Sequence, residues 1–166
     1  RIELIRADSD LTIAGETAPE GGITIAGKPL RFGGGYNRAP EPMDNVIIRH
    51  LRIRNGSYTG EPDVGDHNGI LGTGTDRFVF DHMSFSFNDD QAIAMGSNYG
   101  PMRDGTIQRC TFSENATAII MGFHASEFPT ERISFLKNLF VHQSHRTPNL
   151  GREGRIDVIN NVLFNW

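Results

Sequence analysis

Of the 166 residues, one is cysteine, one tryptophan and three tyrosine. A lone Cys110 cannot close an intramolecular disulfide, so no covalent staple holds the chain and its redox compartment leaves no mark. No apolar run approaches the roughly 18 residues that a membrane-spanning helix needs. The opening stretch RIELIRADSD has no apolar secretory h-region. It begins on Arg1 rather than Met, and a leader and cap ahead of it are expected. The six histidines show no HExxH or comparable zinc spacing. Positive charge is not in excess: 16 Lys and Arg stand against 20 Asp and Glu, a net charge of −4 that argues against a nucleic-acid binder. No segment carries a convincing 3.6-residue period, which disfavours a doubly wound α/β fold.

Nineteen glycines and 37% hydrophobic residues describe a loop-rich globular chain, long enough for one domain with a real core. The hydrophobic residues repeat. VIIRHLRIR from Val46, FVFDHMSFS from Phe78, GTIQRCTFS from Gly105, ISFLKNLFV from Ile133 and IDVINNVLF from Ile156 share one pattern. Side chains alternate, skip one residue, then alternate again. The first column is Val46, Phe78, Gly105, Ile133, Ile156, and the second is Ile48, Phe80, Ile107, Phe135, Val158. After the skip come Leu51, Met83, Cys110, Asn138, Asn161, and then Ile53, Phe85, Phe112, Phe140, Leu163. Period two indicates strand, and a phase break at a fixed place indicates a bend between two short strands.

AIAMG at Ala92, AIIMG at Ala118 and the shorter GILG at Gly69 supply a third strand per unit, closed by Gly96, Gly122 and Gly72. LTIAG and ITIAG, joined by ETAPEGG, supply two strands of a first coil. Three short strands per unit, with units 23 to 32 residues apart, describe an all-β, single-stranded right-handed parallel β-helix. A β-sandwich also fits short strands but does not predict identical stacked columns. The columns predict a Phe85–Phe112–Phe140 stack, an amide ladder between Asn138 and Asn161, and a buried Cys110 acting as a small hydrophobe. The pattern runs to the final NNVLFNW, and the expectation is a partial β-helix domain over 1–166, continued by further coils.

Candidate chemistry lies between the strands. Asp66 is six residues before Gly72 and Asp90 six before Gly96, so counting from the glycines puts both in one column. Two carboxylates about 4.8 Å apart repel unless a proton or a cation lies between them. With Asn68 and Asp89 close in sequence, hard oxygen donors suit Ca²⁺ better than zinc. Two independently solvated loop acids fit the same spacing. HQSHRTPNLGREGR, 142–155, gathers three arginines and two histidines around a single acid. His142 and His145 are better placed there as surface or substrate contacts than as metal ligands.

LTIAGETAPEGGITI, NVIIRHLRIR, FVFDHMSFSFNDD, IQRCTFSE, ISFLKNLFVHQSHRTP and DVINNVLFNW together resemble, in order, the pectate lyases of the first polysaccharide-lyase family. FDHMSFSF is similar to that family's Ile-Asp-His-Cys-Ser-Phe-Ser-Trp motif, and KNLFVHQSHRTP to its His-His-Asn strand followed by Arg-x-Pro. The resemblance implies a secreted or periplasmic, monomeric enzyme that splits polygalacturonate by Ca²⁺-assisted β-elimination, giving 4,5-unsaturated products, with no nucleic-acid or membrane partner. It implies Arg146 as the base that removes the C5 proton. Arginine is ordinarily protonated, so this role implies an alkaline optimum set by nearby cations. It implies Asp66 and Asp90 as Ca²⁺ ligands, with Asn68 and Ala94 at two positions where the family has acids. Thr117 stands where a family lysine contacts substrate. Arg152 lies one residue beyond the expected second arginine, whose place falls on Gly151. These departures leave open a non-catalytic polysaccharide-binding or structural β-helix, and a Ca²⁺-independent pectin lyase.

Overall fold

The protein was analysed as a computed structural model, which describes residues 2–33, 42–56, 68–97, 100–122, 128–151 and 154–165. Every coil contributes one strand to each of three sheets. The first sheet takes β1 (Ile2–Leu4), β4 (Leu30–Phe32), β7 (Ile70–Thr73), β10 (Gln91–Gly96), β13 (Thr117–Met121) and β16 (Asn149–Leu150). The second takes β2 (Leu11–Ala14), β5 (Met43–Arg49), β8 (Thr75–Asp81), β11 (Met102–Gln108), β14 (Thr130–Leu136) and β17 (Ile156–Ile159). The third takes β3 (Ile23–Ala26), β6 (Leu51–Arg54), β9 (Ser84–Ser86), β12 (Thr111–Ser113), β15 (Leu139–Val141) and β18 (Val162–Phe164). All pairings are parallel, each with the coil before and after. This is the right-handed parallel β-helix that the column pattern predicts. Among the described residues the helical pieces are two three-residue 3₁₀ turns.

The predicted columns are the observed register. Val46 pairs with Phe78, Phe78 with Gly105, Gly105 with Ile133, and Ile133 with Ile156. Ile53, Phe85, Phe112, Phe140 and Leu163 pair in the same way on the third sheet. The skipped residue is a left-handed corner: His50, His82, Arg109, Lys137 and Asn160 have φ between 50° and 56°. One such residue reverses the phase of alternation and turns the chain from the second sheet to the third. Gly105, the blank in the first column, is explained by close approach. A Cβ there would lie 2.2 Å from the Phe78 ring.

The interior is apolar and stacked. The Phe85, Phe112 and Phe140 rings lie 4.9 and 4.8 Å apart, within 8° of parallel, and each is at most 1% exposed. A buried phenylalanine contributes roughly 1.5–3 kcal/mol through removal from water. At the bend, Asn138 Nδ2 donates to Asn161 Oδ1 at 2.9 Å and to the Ile107 carbonyl at 2.9 Å. Asn138 Oδ1 in turn accepts from the Cys110 N–H at 2.9 Å. The ladder thus satisfies buried backbone groups that the corner leaves without strand partners. Cys110 is 1% exposed, and burial pushes its thiol up to about 12, which removes it from nucleophilic chemistry. In the sixth coil Val158 and Leu163 continue the inward columns but are 50% and 44% exposed.

The first sheet corrects one count. Gly72 pairs with Met95, not with Gly96, and Gly96 pairs with Thr73. The turn glycine of that coil is Gly74, with φ 53° and its N–H donating to the Gly96 carbonyl at 2.9 Å. Gly72 instead sits inside the strand, where Phe32 and Met95 take the space a side chain would fill. Counting from Gly72 is therefore out of register by one residue; Asp66, which that count set beside Asp90, lies outside the described residues.

Candidate functional site

The chain passes from the third sheet back to the first through segments of unequal length, 55–69, 87–90, 114–116 and 142–148. This contrasts with the short corner between the second and third sheets, and it is where the candidate residues collect. Backbone rungs fix their order. The Asp90 carbonyl accepts from the Thr117 N–H at 3.1 Å. The His145 carbonyl accepts from Ala118 at 3.3 Å, and the Arg146 carbonyl from Ile119 at 2.7 Å. Asp90, Thr117 and His145–Arg146 thus occupy consecutive coils along one edge of the first sheet. With about 4.8 Å between neighbouring strands, Asp90 and Arg146 are separated by two rungs, roughly 10 Å.

Arg146 sits at a local irregularity. Ile119 faces Arg146, but Ile120 already pairs with Asn149. Thr147 and Pro148 are extra residues between them, joined by a cis peptide bond. Arg146 itself has φ 61°, the left-handed conformation also adopted by the corner residues His50, His82, Arg109 and Lys137. It is half-buried, and among the described residues its guanidinium makes no hydrogen bond or ion pair. Gly122, one strand end away, has φ 67°, and a Cβ there would lie 2.2 Å from the Gly151 carbonyl oxygen. Only glycine lets these two coils close beside the loop.

The other predicted residues differ in exposure and partners. Asp90 is half-buried, and its carboxylate accepts a hydrogen bond from Gln91 Nε2. Asp89 is exposed. Asn68 is 2% exposed, and its carbonyl accepts from Asn55 Nδ2. Thr117 is 6% exposed and shares the strand parity of Ile119 and Met121, which lie in the core, so its side chain faces inward. Ala94 occupies the alternate column with Leu71 and Ile120. His145 is exposed, with Nδ1 3.1 Å from Ser144 Oγ. His142 is exposed, with Nδ1 2.6 Å from Glu114 Oε1. Asp66 and Arg152 lie outside the described residues. Among the described residues no three acidic, imidazole or thiol groups converge as a metal cage would require.

Perturbed titrations lie elsewhere. On the outer face of the second sheet, Arg103 grips Asp76 with three hydrogen bonds, and Arg132 bridges Asp104 and Glu131. The Arg132 hydrogen bonds hold the Asp104 carboxyl below the usual carboxylate range. Burial alone would raise the Asp81 carboxyl, but hydrogen bonding and charge from His82, aided by Gln108 and Arg109, hold it down. Arg103–Asp76, Arg132–Asp104 and Arg109–Asp81 link one coil to the next and are structural.

Two features escape the hydrophobic columns. Asn88 Nδ2 donates to Asn115 Oδ1 at 2.6 Å, and Asn115 Nδ2 to Gln143 Oε1 at 3.3 Å, a second amide ladder beneath the candidate edge. Its signal was in the sequence, since each amide follows Phe85, Phe112 or Phe140 by three residues. Phe87, 60% exposed beside that ladder, was the other.

The chain is similar to pectate lyases along almost its whole length. It is 28% identical to the probable pectate lyase C of Neosartorya fischeri over 99% of its own residues, and 28% identical to that of Aspergillus flavus over 98%. The probable pectate lyase C of Aspergillus terreus is 29% identical over 94%. The chain spans about a third of the length of these relatives: 34% of the first two and 33% of the third. No family model matches the chain, and no solved structure matches it. No helix among the described residues is long and apolar enough to cross a membrane.

Proposed function

We propose that the chain carries the reactive edge of a secreted polysaccharide lyase that cleaves polygalacturonate-type polymers by β-elimination. The observation that carries this reading is the Arg146 guanidinium, without a side-chain partner among the described residues and two rungs from Asp90 on one sheet edge. Similarity to proteins named probable pectate lyase C supports the substrate class. In the reaction, Arg146 is the proposed acceptor of the C5 proton of a galacturonate. The released pair forms the C4–C5 double bond, and the C4–O bond breaks with its electrons on the leaving oxygen, which is protonated from solvent. C5 is acidic because it adjoins the C6 carboxylate, and neutralising that carboxylate stabilises the developing charge. Exposed His145 and His142 flank the path of the polymer, and Arg152 is proposed as a further contact. Inward-facing Thr117 is given no part.

Ca²⁺ is proposed as the carboxylate's partner, but the described residues alone are a poor cage. Asp90 offers one hard carboxylate at the edge, with Asp89 beside it, while Asn68 is buried. A bound cation would therefore depend on Asp66 and on the polymer's own carboxylates. When bound, it would supply charge neutralisation at C6.

The second reading is a β-helix that binds the polysaccharide without cleaving it, favoured by Ala94 on the outward column and by the sparse acids. The two are separated by incubating the full-length protein with polygalacturonate, with and without a chelator, and following the ultraviolet absorbance of the unsaturated product. Product that forms and is suppressed by the chelator supports the lyase. Binding with no product supports the second reading.

A further inference from the structure

Beside the candidate edge lies a cleft of about 350 Å³, lined by Phe87, Asp89, Glu114, Ala116 and His142 above the Asn88–Asn115 ladder. Its corner residues are equivalent from coil to coil. Phe87, Glu114, His142 and Asn165 have φ of 57°, 55°, 51° and 51°. Asparagine is an ordinary occupant of that conformation, whereas a bulky aromatic is an outlier there. Phe87 is 60% exposed, so it does not serve the core either. Among the described residues its ring meets no other aromatic. One exposed phenylalanine alone means little. A strained one at the lip of a polar cleft, facing a Glu114–His142 pair hydrogen-bonded at 2.6 Å, is a built arrangement.

We infer that this cleft is a subsite for an uncharged pyranose ring of the polysaccharide, such as a methyl-esterified galacturonate or a neutral side-chain sugar. The inference rests on the polysaccharide reading above and adds a specificity to it. The apolar C–H face of a pyranose stacks on an aromatic face, which is the surface Phe87 presents. Its hydroxyls need both donors and acceptors, which Glu114 and His142 supply together. The acids Asp89 and Glu114 face the cleft with a single imidazole, so the free carboxylate of an unesterified uronate meets repulsion there. The cleft joins the candidate edge directly, since Asp89 precedes Asp90 and Ala116 precedes Thr117.

The test is calorimetric binding of three oligomers to the full-length protein: methyl-esterified oligogalacturonate, unesterified oligogalacturonate and a neutral galacto-oligosaccharide. The variants are Phe87→Ala, Phe87→Tyr and Glu114→Gln, with thermal unfolding run on each to confirm folding. Phe87→Ala is expected to weaken the esterified oligomer about threefold to tenfold and the unesterified one at most about twofold, the range of a single aromatic contact. Phe87→Tyr, which keeps the ring, should retain affinity, and Glu114→Gln should narrow the gap between esterified and unesterified ligands. A parallel loss for the neutral oligosaccharide assigns the subsite to neutral sugars generally; a loss confined to the ester assigns it to esterified uronate. Equal loss on charged and uncharged oligomers, or no loss on any, overturns the inference. Unsaturated product is assayed on the same preparations. Its absence from the parent, with the Phe87 effect intact, would remove the lyase reading and leave the subsite standing.

Discussion

The two kinds of corner in this β-helix obey different rules. Between the second and third sheets every turn from the second coil onward is short and carries a left-handed residue. There Asn138 and Asn161 bond to each other and to the preceding coil's carbonyls. Between the third and first sheets the connecting segments differ in length from coil to coil, and both Arg146 and exposed Phe87 sit on them. The first corner is specified by stacking and tolerates little change. The second rests on a ladder, Asn88–Asn115–Gln143, that supports loops free to vary above it. Stability and candidate chemistry are thereby assigned to opposite ends of the third sheet.

That division breaks most visibly under substitution at the stacked side. Phe112→Ala removes the middle ring of the stack and should cost about 3–5 kcal/mol in chemical denaturation. A cost near zero would mean that the columns do not bear the fold. Asn138→Ala strands the Cys110 N–H and the Ile107 carbonyl, and about 1–3 kcal/mol per unsatisfied buried group is expected in the same assay. Gly105→Ala forces a methyl against the Phe78 ring and should cost about 1–3 kcal/mol by overpacking. At the opposite corner Asp90→Asn should change stability by no more than about 0.5 kcal/mol, while any calcium response of the activity disappears. A large stability loss at Asp90 would erase the distinction.

The smallest effect expected is that of pH on the second sheet's ion pairs. Asp81 and Asp104 have folded-state carboxyls held below their ordinary range. Such groups stabilise the fold fully above the unfolded carboxylate value of about 3.9, and the contribution is lost as pH falls through the depressed folded value. Thermal unfolding should therefore fall off below about pH 4. Asp81→Asn should make that acid limb shallower; an unchanged limb would show that the His82 and Arg109 contacts carry no net stabilisation.

The fold was legible because its signal is geometric. A period of two, interrupted by one residue at a constant place, leaves little but stacked coils, and even Gly105 as the blank marked where the Phe78 ring intrudes. The candidate edge was only partly legible. Arg146 stood out through its position after the Phe140 strand and its following proline. Asp66 and Asp90 were aligned by counting from Gly72, a residue that strand packing selects and not the turn, which Gly74 makes. Thr117 was placed only by its correspondence with a family lysine, which carries no information on parity, and β13 begins there with its side chain inward. Phe87 ends the FDHMSFSF stretch, where the family motif has Trp, but its exposure leaves no mark in a periodic pattern. Loops of variable length carry no register, so sequence spacing cannot say which of their residues meet.

The central claim is that Arg146 is the group that takes the proton. The measurement is the rate of unsaturated-product formation from polygalacturonate by an Arg146→Lys variant in the full-length protein, alongside its oligogalacturonate binding and its unfolding transition. Lysine keeps the positive charge but loses the planar guanidinium. The account predicts a folded protein that binds oligogalacturonate much as the parent does and forms no detectable unsaturated product. A folded Arg146→Lys variant that turns over at the parent rate would contradict it, and would reduce the Arg-Thr-Pro loop to an electrostatic docking surface.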